Sequence, residues 1–346
     1  MPSASSSTSE NLSSGALSRD APRRLRIATR SSPLALWQAA AVGRLLSQAH
    51  PGLATEAVAI RTEGDRLATA SLADIGGKGV FVRALQAAVL DGRAELAVHS
   101  AKDLPSQTLE GLCLAAVPRR GEVRDALVGA RLADLAEGVT VATGSARRRV
   151  QLADQRPDLR FADLRGNIDT RLAKAEGFDA IVVALVALER LGRAPATVDV
   201  LDVDLMVPQV GQGALAVECR AEDRRLCRLL SAIEDPGSRR CVDAERAFLA
   251  ALGGDCTVPA GAHARLLGDA VEDAVELSGV LAPAVGVPLR RATLRGDDGV
   301  LAGRRLAEVL LGDAAAAPSG RGASAGRPSA GSPSAGSGLA GRGDDA

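Results

Sequence analysis

The chain has 346 residues, and its 42 lysines and arginines balance 42 aspartates and glutamates. This neutrality argues against a nucleic-acid-binding protein, which usually carries a basic excess, and four Phe, one Trp and no Tyr offer few rings for base stacking. No apolar run reaches the roughly 18 to 20 residues that a membrane span needs, so we expect neither nucleic acid nor a membrane as a partner.

The predicted elements begin after a Ser-rich tail, residues 1–22, and end before an Ala/Gly/Ser/Pro-rich tail, residues 313–346; both tails are typical of disorder. Between them, strand-like and helical runs alternate, which predicts α/β domains with mostly parallel sheets. In chain order, the predicted runs are strand 25–29, a helix capped by Ser32 with Pro33 in its first turn, strand 57–62, helix 79–92 and strand 95–100. Strands 139–143, 159–164 and 179–185 come next, each followed by a helical stretch, and then strand 214–220. After about residue 237 a helix (239–252), several short strands and a last helix (302–311) predict a separate α+β domain.

The five cysteines show no CxxC spacing, and the three histidines form no HExxH or paired His/Cys pattern. We therefore expect no disulfide framework, no structural zinc site and no catalytic metal. The N-terminus lacks a charged region followed by an apolar one, so no secretory signal is predicted. The simplest interpretation is a reduced, cytoplasmic protein.

Basic residues follow several of the predicted strands. Arg147 and Arg148 come after strand 139–143 and the turn Gly144-Ser145, in the first turn of a helix, where free N–H groups and the helix dipole already favour anions. Similar positions after other strands are held by Arg30, Lys102, Arg165, Arg171 and Arg190. Because ligands of open α/β sheets bind outside the carboxyl ends of the strands, the set predicts one crevice for a ligand with many negative charges. A lone arginine at a helix start is usually a solvated surface residue. Within this set, Arg149 and Arg190 best fit the interpretation of an ordinary surface or salt-bridge residue.

Two further residues are candidates for chemistry. Asp103, in HSAKDLP, is either a turn or cap residue or a carboxylate that steadies positive charge on a substrate and moves a proton. Cys256, in the Gly-rich segment LGGDCTVP, is either an incidental thiol or a nucleophile. A cysteine nucleophile of the usual kind needs a histidine partner, and the sequence leaves open whether His99 or His263 approaches it.

Seven segments together resemble the porphobilinogen deaminase (hydroxymethylbilane synthase) family, in family order, from about residue 24 to 312. They are LRIATRSSPLALWQ, GGKGVFV, AVHSAKDLP, RRRVQLADQRPDL, LRGNIDTRL, VGQGALAVECR and LGGDCTVP. The resemblance implies two domains similar to the halves of a periplasmic binding protein, joined by crossing connections, and a smaller third domain. Here these would be residues 23–118 with 214–234, residues 119–213, and the α+β domain 237–312.

The resemblance also implies an activity and its residues. Such a transferase condenses four porphobilinogen molecules head to tail on a dipyrromethane cofactor, releases ammonia each time, and then releases hydroxymethylbilane by hydrolysis, toward haem. Cys256 matches the cofactor-attachment position and Asp103 the catalytic carboxylate, and the small-molecule substrate would be the partner of a monomer. The residues matching cofactor- or substrate-binding positions are Arg30, Ser32, Lys78, Phe81, Lys102, Thr143, Ser145, Arg147, Arg148, Arg165, Asn167, Arg171 and Arg190.

Three residues depart from the family pattern: Asp74 just before GGKG, Ala187 where a glycine is common, and Gln209 where a small or apolar residue is usual. Two other classes of function remain as alternatives. A two-lobed binding protein for a small anion would explain the strand-end cations without using Asp103 or Cys256. Nucleic-acid binding through the arginine run would show a steep salt dependence.

Overall fold

The computed structural model describes residues 24–60, 79–253, 259–268, 274–282 and 288–312. Both predicted tails, together with Lys78, Cys256 and Asp74, lie outside the described residues, as does the side chain of Phe81. In chain order the elements are β1 (Arg24–Thr29), α1 (Pro33–Ala49), β2 (Ala54–Ala59), α2 (Gly79–Leu90), β3 (Leu96–Ser100), β4 (Leu112–Ala116), β5 (Asp125–Val128), β6 (Thr140–Ala142), α3 (Ala146–Gln155), β7 (Arg160–Ala162), α4 (Ile168–Lys174), β8 (Ala180–Ala184), α5 (Leu185–Leu191), β9 (Val198–Leu201), β10 (Leu215–Arg220), α6 (Arg224–Leu230), α7 (Pro236–Ala251), β11 (Ala260–Leu266), β12 (Val275–Leu281), β13 (Arg290–Gly296) and α8 (Gly299–Leu311).

Two five-stranded sheets share one arrangement. The first has the order β2-β1-β3-β10-β4 and the second the order β7-β6-β8-β5-β9. In each sheet one strand, β10 or β5, runs antiparallel to both neighbours, and the other four strands point the same way. The prediction of α/β domains with mostly parallel sheets is confirmed.

Two connections link these sheets, because β10 joins the first sheet only after the chain has built the second. The connections touch where the Gly121 amide donates to the Gly213 carbonyl oxygen at 3.1 Å. Gly213 has φ of +87°, and a Cβ there would lie 2.6 Å from the carbonyl oxygens of both Gly121 and Glu122. A glycine is therefore required at this crossing.

The third sheet is an antiparallel meander, β11-β12-β13, with α7 and α8 packed on it. Phe248 from α7, Leu277 from β12 and Leu306 from α8 are fully buried in the shared core. The structure confirms the smaller C-terminal α+β domain that the change of pattern near residue 237 predicts.

One predicted strand is displaced. The sequence places the second strand at 57–62, but β2 begins at Ala54, which pairs with Arg24 of β1. The predicted strand overlaps β2 but begins three residues too late, because pairing with β1 sets its start; residues 61 and 62 of the prediction lie outside the described residues. The other predicted strands and helices agree with the structure to within three residues at their ends.

None of the helices in the described residues combines the length and the run of apolar side chains needed to cross a membrane.

Candidate functional site

The candidate residues of the first sheet follow β1 and β3. Ser32 caps α1, its hydroxyl accepting from the Ala35 amide at 3.4 Å, and half-buried Arg30 lies just before it. β3 passes into a short 3-10 turn, Ala101–Asp103, which leaves Lys102 half-buried and Asp103 exposed. The predicted cation and carboxylate thus both lie at the carboxyl end of β3.

The candidate residues of the second sheet follow β6 and β7. Ser145 caps α3 by accepting from the Arg148 amide at 3.5 Å, and the buried Thr143 hydroxyl accepts from the Ser145 amide at 3.2 Å. Gly144 permits this turn, since a Cβ there would lie 2.7 Å from the Leu164 carbonyl oxygen. Asn167 caps α4 by accepting from the Thr170 amide at 2.9 Å. Ser32, Ser145 and Asn167 therefore all have cap roles, and their contact with a ligand stays a prediction.

Arg147 and Arg148 are buried and share a partner that the sequence reasoning missed. The Asp125 carboxylate, at the start of β5, accepts from Arg147 Nη2 at 2.6 Å and from Arg148 Nη2 at 2.7 Å. The two Nη1 groups donate to backbone carbonyls, of Val207 at 2.5 Å and Val182 at 2.9 Å. The two adjacent arginines thus converge on one buried carboxylate, and the cationic pair holds α3 against β5 and β8.

Gln212 joins this triad to the first sheet's candidates. Its Nε2 donates to Asp125 Oδ1 at 2.8 Å, while its Oε1 accepts from Lys102 Nζ at 3.2 Å. Gln209, one of the departures from the family pattern, donates to the Lys102 carbonyl oxygen at 3.0 Å. The connection that follows β9 therefore brings Lys102 and the Asp125 triad into one hydrogen-bonded assembly.

Several of the predicted cations influence one another's charge. Burial, and then the charge of Arg148, lower the pKa of Lys102 to about 8, although Asp103 and Asp125 oppose this shift. Burial also lowers the pKa of Arg171, followed by repulsion from Arg148 and Arg165, against the attraction of Asp103. Lys102 and Asp103 of the first sheet and Arg148 and Arg171 of the second therefore influence one another's charge. We call the region that these residues surround the cleft, and its role as a ligand crevice stays a prediction.

This cleft carries a surplus of positive charge. Five cations, namely Lys102, Arg147, Arg148, Arg165 and Arg171, surround two carboxylates, Asp103 and Asp125. Within the described residues, the Nε groups of Arg147 and Arg148 are buried and have no hydrogen-bond partner. Buried unpaired donors are costly, and the surplus of cations over carboxylates suits an anionic group; the Nε of Arg149, outside the cleft, is also buried without a partner among the described residues, so an unpaired Nε alone does not mark a binding residue.

Arg190 and Arg149 lie apart from these contacts. Arg190 donates to the Gly213 carbonyl oxygen at 2.6 Å and lies 5.3 Å from the centre of the Trp37 ring, and burial lowers its pKa to about 10. It lines a cavity of about 420 Å³ beside the crossing connections. Arg149 pairs with the exposed Asp163 at 3.0 Å. The salt-bridge interpretation of Arg149 is confirmed, and a ligand role for Arg190 stays a prediction.

Comparison with known proteins identifies the family. Residues 25–228 match the family model described as porphobilinogen deaminase, dipyromethane cofactor binding domain, and residues 239–312 match the porphobilinogen deaminase C-terminal domain. The chain belongs to the porphobilinogen deaminase family. The resemblance drawn from the seven sequence segments is confirmed.

Relatives in this family cover nearly all of the described chain. The porphobilinogen deaminase of Nitratidesulfovibrio vulgaris is 44% identical over 304 residues, which is 85% of this chain and 95% of the relative. That of Xanthomonas axonopodis pv. citri is 46% identical over 299 residues, 84% of this chain and 97% of the relative. The solved methionine binding protein MetQ covers 63% of this chain at 11% identity, with a TM-score of 0.39.

Membership of the porphobilinogen deaminase family makes this chain a transferase of tetrapyrrole biosynthesis. Every described candidate residue lies within the match to the cofactor-binding domain, and Cys256 lies within the C-terminal match. The cations of the cleft therefore all lie in the part of the chain that matches a cofactor-binding domain, although the chain as a whole has no net charge.

Proposed function

We propose that the chain condenses four porphobilinogen molecules head to tail in the cleft between its two five-stranded sheets, and then releases hydroxymethylbilane by hydrolysis. The observation that carries this proposal is the combination of surplus cations, spare buried Arg147 and Arg148 donors, and one exposed carboxylate, Asp103. Each porphobilinogen brings an acetate and a propionate, so the enzyme-bound product gains negative charge at every addition. A cleft with more cations than carboxylates suits such a growing polyanion.

The cations bind and orient the carboxylates of the substrate. Lys102 and Arg171 are held close to Asp103, and Arg165 is exposed at the carboxyl end of β7. Arginine forks bind carboxylates in a fixed orientation, whereas the Lys102 ammonium acts as a point charge. Together they place the reacting pyrrole ring against Asp103.

Asp103 acts on the ring itself. Loss of ammonia from porphobilinogen leaves an electron-poor carbon, and positive charge develops on a pyrrole nitrogen when the next bond forms. An exposed carboxylate fixed on a short turn stabilises that charge without having to reorganise, and it can take the proton that the ring then loses.

The same residues fit a dipyrromethane group. When bound, this cofactor supplies the pyrrole carbon to which the first substrate is added. Arg147 Nε, Arg148 Nε and Lys102 would hold its carboxylates, which would satisfy donors that the described residues leave unpaired. Its attachment to Cys256 follows from the match of LGGDCTVP to the family motif, and a thioether needs no histidine base.

Intact mass tests the tether. We expect the purified chain to be heavier than its sequence by two pyrrole units, and Cys256→Ser to lose this excess while Cys241→Ser keeps it. After addition of porphobilinogen, a ladder of heavier species should form on the parent chain. A parent mass equal to that of the sequence, or an excess kept by Cys256→Ser, would contradict the cofactor assignment.

A matched pair of carboxylates tests the chemistry. Asp103→Asn should lower the rate of hydroxymethylbilane formation by about 10²-fold or more, the usual range for lost acid–base or electrostatic catalysis. Asp163→Asn, which alters an exposed carboxylate paired with Arg149, should leave the rate unchanged. Circular dichroism should show both variants folded. Equal rates for the two variants would remove Asp103 from the mechanism.

The domain bounds, the monomeric state and the cytoplasmic location expected from the sequence remain proposals. Size-exclusion chromatography with light scattering tests the monomeric state. We expect the mass of the particle in solution to equal that of one chain.

A further inference from the structure

Three cysteines far apart in the chain converge beside the first sheet. Cys113 lies in β4, Cys219 lies opposite it in β10, and Cys227 lies in α6. Their sulfur atoms form a triangle with sides of 3.4 Å (Cys113 to Cys227), 3.5 Å (Cys219 to Cys227) and 3.7 Å (Cys113 to Cys219). No residue proposed for the deaminase reaction belongs to this group, so the inference does not rest on the proposed function.

The triangle has the dimensions of three corners of a thiolate metal site. With zinc–sulfur bonds of about 2.3 Å, a tetrahedral site has sulfur atoms about 3.8 Å apart, and a flat trigonal site spreads them to about 4.0 Å. The observed sides, 3.4 to 3.7 Å, are closer to the tetrahedral value. A bound ion would then lie about 1 Å above the plane of the sulfur atoms, and its fourth position would point away from them.

The surroundings favour a soft ion and one solvent ligand. Cys219 is fully buried, whereas Cys113 and Cys227 are half-buried, so the triangle lies at the margin of the core and not at its centre. Among the described residues, no histidine or carboxylate joins the three sulfurs as a fourth ligand. The Arg220 carbonyl oxygen lies 3.6 Å from Cys219 Sγ and 3.9 Å from Cys227 Sγ. Thiolate ligands select thiophilic ions such as Zn(II) over Mg(II) or Ca(II).

Core packing alone does not explain the arrangement. The three residues border the same core as Leu46, Leu230 and Val217, where small apolar side chains such as alanine would fill similar space. Only cysteine brings three sulfur atoms into mutual contact. The absence of a CxxC pattern concealed this group, because pairing of β4 with β10 brings together residues 106 positions apart.

We propose that Cys113, Cys219 and Cys227 form a binding site for one Zn(II) ion, with a water molecule as its fourth ligand. On binding, the three S–H bonds break and their protons leave to solvent, three sulfur–zinc bonds form, and the hydrated six-coordinate ion gives up five of its six waters and keeps one as the fourth ligand. The expectation from sequence that this chain has no structural zinc site would then be wrong.

Zinc titration of the full-length, reduced, metal-free chain tests the site. In competition with a chromophoric chelator, the parent should take up one equivalent of Zn(II), and Co(II) in its place should show the thiolate charge-transfer and tetrahedral bands. Cys113→Ser and Cys227→Ser should each weaken binding by at least about a hundredfold, since loss of a ligand costs no less than loss of its supporting contacts. Cys241→Ser, a buried cysteine outside the group, and Cys256→Ser should keep the full equivalent.

The outcomes separate the alternatives. Uptake that survives in the Cys113→Ser/Cys227→Ser double variant, or that disappears in Cys241→Ser or Cys256→Ser, would overturn the proposal, as would no uptake by the parent. Uptake of Cu(I) without Zn(II) would overturn the tetrahedral assignment. Circular dichroism checks the fold of each variant, and the two substituted positions are half-buried, so their exchange for serine should leave the chain folded.

Discussion

Two buried arginine–carboxylate groups in this molecule differ in how completely they are paired. At the junction with the third sheet, Arg120 donates through Nη1 and Nη2 to Glu245 at 2.7 and 3.0 Å, and through Nε to the Gln212 carbonyl oxygen at 2.8 Å. Glu245 also accepts from the amides of Gly211 and Ala264 at 2.7 and 2.9 Å. One cation meets one carboxylate, and each of the three guanidinium nitrogens of Arg120 donates a hydrogen bond.

In the cleft, two guanidinium groups share the single carboxylate of Asp125, and the Nε of each has no partner among the described residues. The Arg120–Glu245 pair is therefore complete in itself and holds the connections to the third sheet. In the group formed by Asp125, Arg147 and Arg148, one positive charge is not balanced by a carboxylate, and two Nε donors are unpaired among the described residues. Burial of an arginine therefore does not separate a structural role from a binding role, whereas unmatched charge does. An unused Nε donor does not separate them either, because the Nε of salt-bridged Arg149 also lacks a partner among the described residues.

The largest effect is expected from breaking the complete pair. Glu245→Ala leaves Arg120 buried and unpaired, and it should lower the free energy of unfolding by about 3–5 kcal/mol. Urea denaturation measures this loss. Arg120→Met with Glu245→Met should recover part of it, because the isolated charge is then removed. A Glu245→Ala chain as stable as the parent would show that the pair does not hold the junction.

A smaller effect on stability and a clear effect on catalysis are expected from Arg148→Gln. Asp125 keeps Arg147 in this variant, but the cleft loses one cation and one spare donor. We expect kcat/KM for porphobilinogen to fall roughly tenfold to a hundredfold, the value of one charged hydrogen bond of about 1.5–3 kcal/mol. Steady-state kinetics measure the fall, with urea denaturation as the control for stability. Unchanged kcat/KM together with a large loss of stability would make Arg148 a structural residue like Arg120.

A third effect is expected from the ionisation of Lys102, which makes both kcat/KM and stability depend on pH. Because its pKa is lowered to about 8 from 10.5, the ammonium loses its charge as the pH rises through about 8, and kcat/KM should fall over that range. The free energy of unfolding should instead rise with pH between about pH 8 and 10.5, because the unfolded chain binds more protons at this residue than the folded chain over that range. Lys102→Met should remove the kinetic step near pH 8. A step that persists in this variant would belong to another group.

The smallest effect is expected at Arg149, beside the triad in sequence but exposed and paired with Asp163. Arg149→Gln should change the free energy of unfolding by about 0–1 kcal/mol and leave kcat/KM at the parental value. Comparison of kcat/KM between Arg149→Gln and Arg148→Gln shows whether the buried arginine contributes to activity and its neighbour does not. A loss of activity equal to that of Arg148→Gln would mean that position in the arginine run, and not burial at Asp125, decides function.

Local features of the structure were predictable because their causes are local. Ser32 with Pro33 marks the start of α1, and the turn Gly144-Ser145 marks the start of α3. The alternation of strands and helices predicts the two α/β sheets, and the strand-end cations predict an anionic ligand. The strands β4, β5 and β9 were not predicted. Their length of four or five residues does not explain this, because β6 and β7 have three residues each and were predicted.

The order of apolar and capping residues was thus sufficient for most of the elements, seven sequence segments for the family, and the basic residues after the strands for the sign of the cleft's charge. Tertiary structure alone decided that Asp125 and Gln212 complete the cleft, that Glu245 pairs with Arg120, and that three cysteines meet beside β10. The physical reason is the distance along the chain over which each interaction acts. Helix caps and side-chain periodicity act over a few residues, whereas these groups join positions that come together only when strands from distant parts of the chain pair.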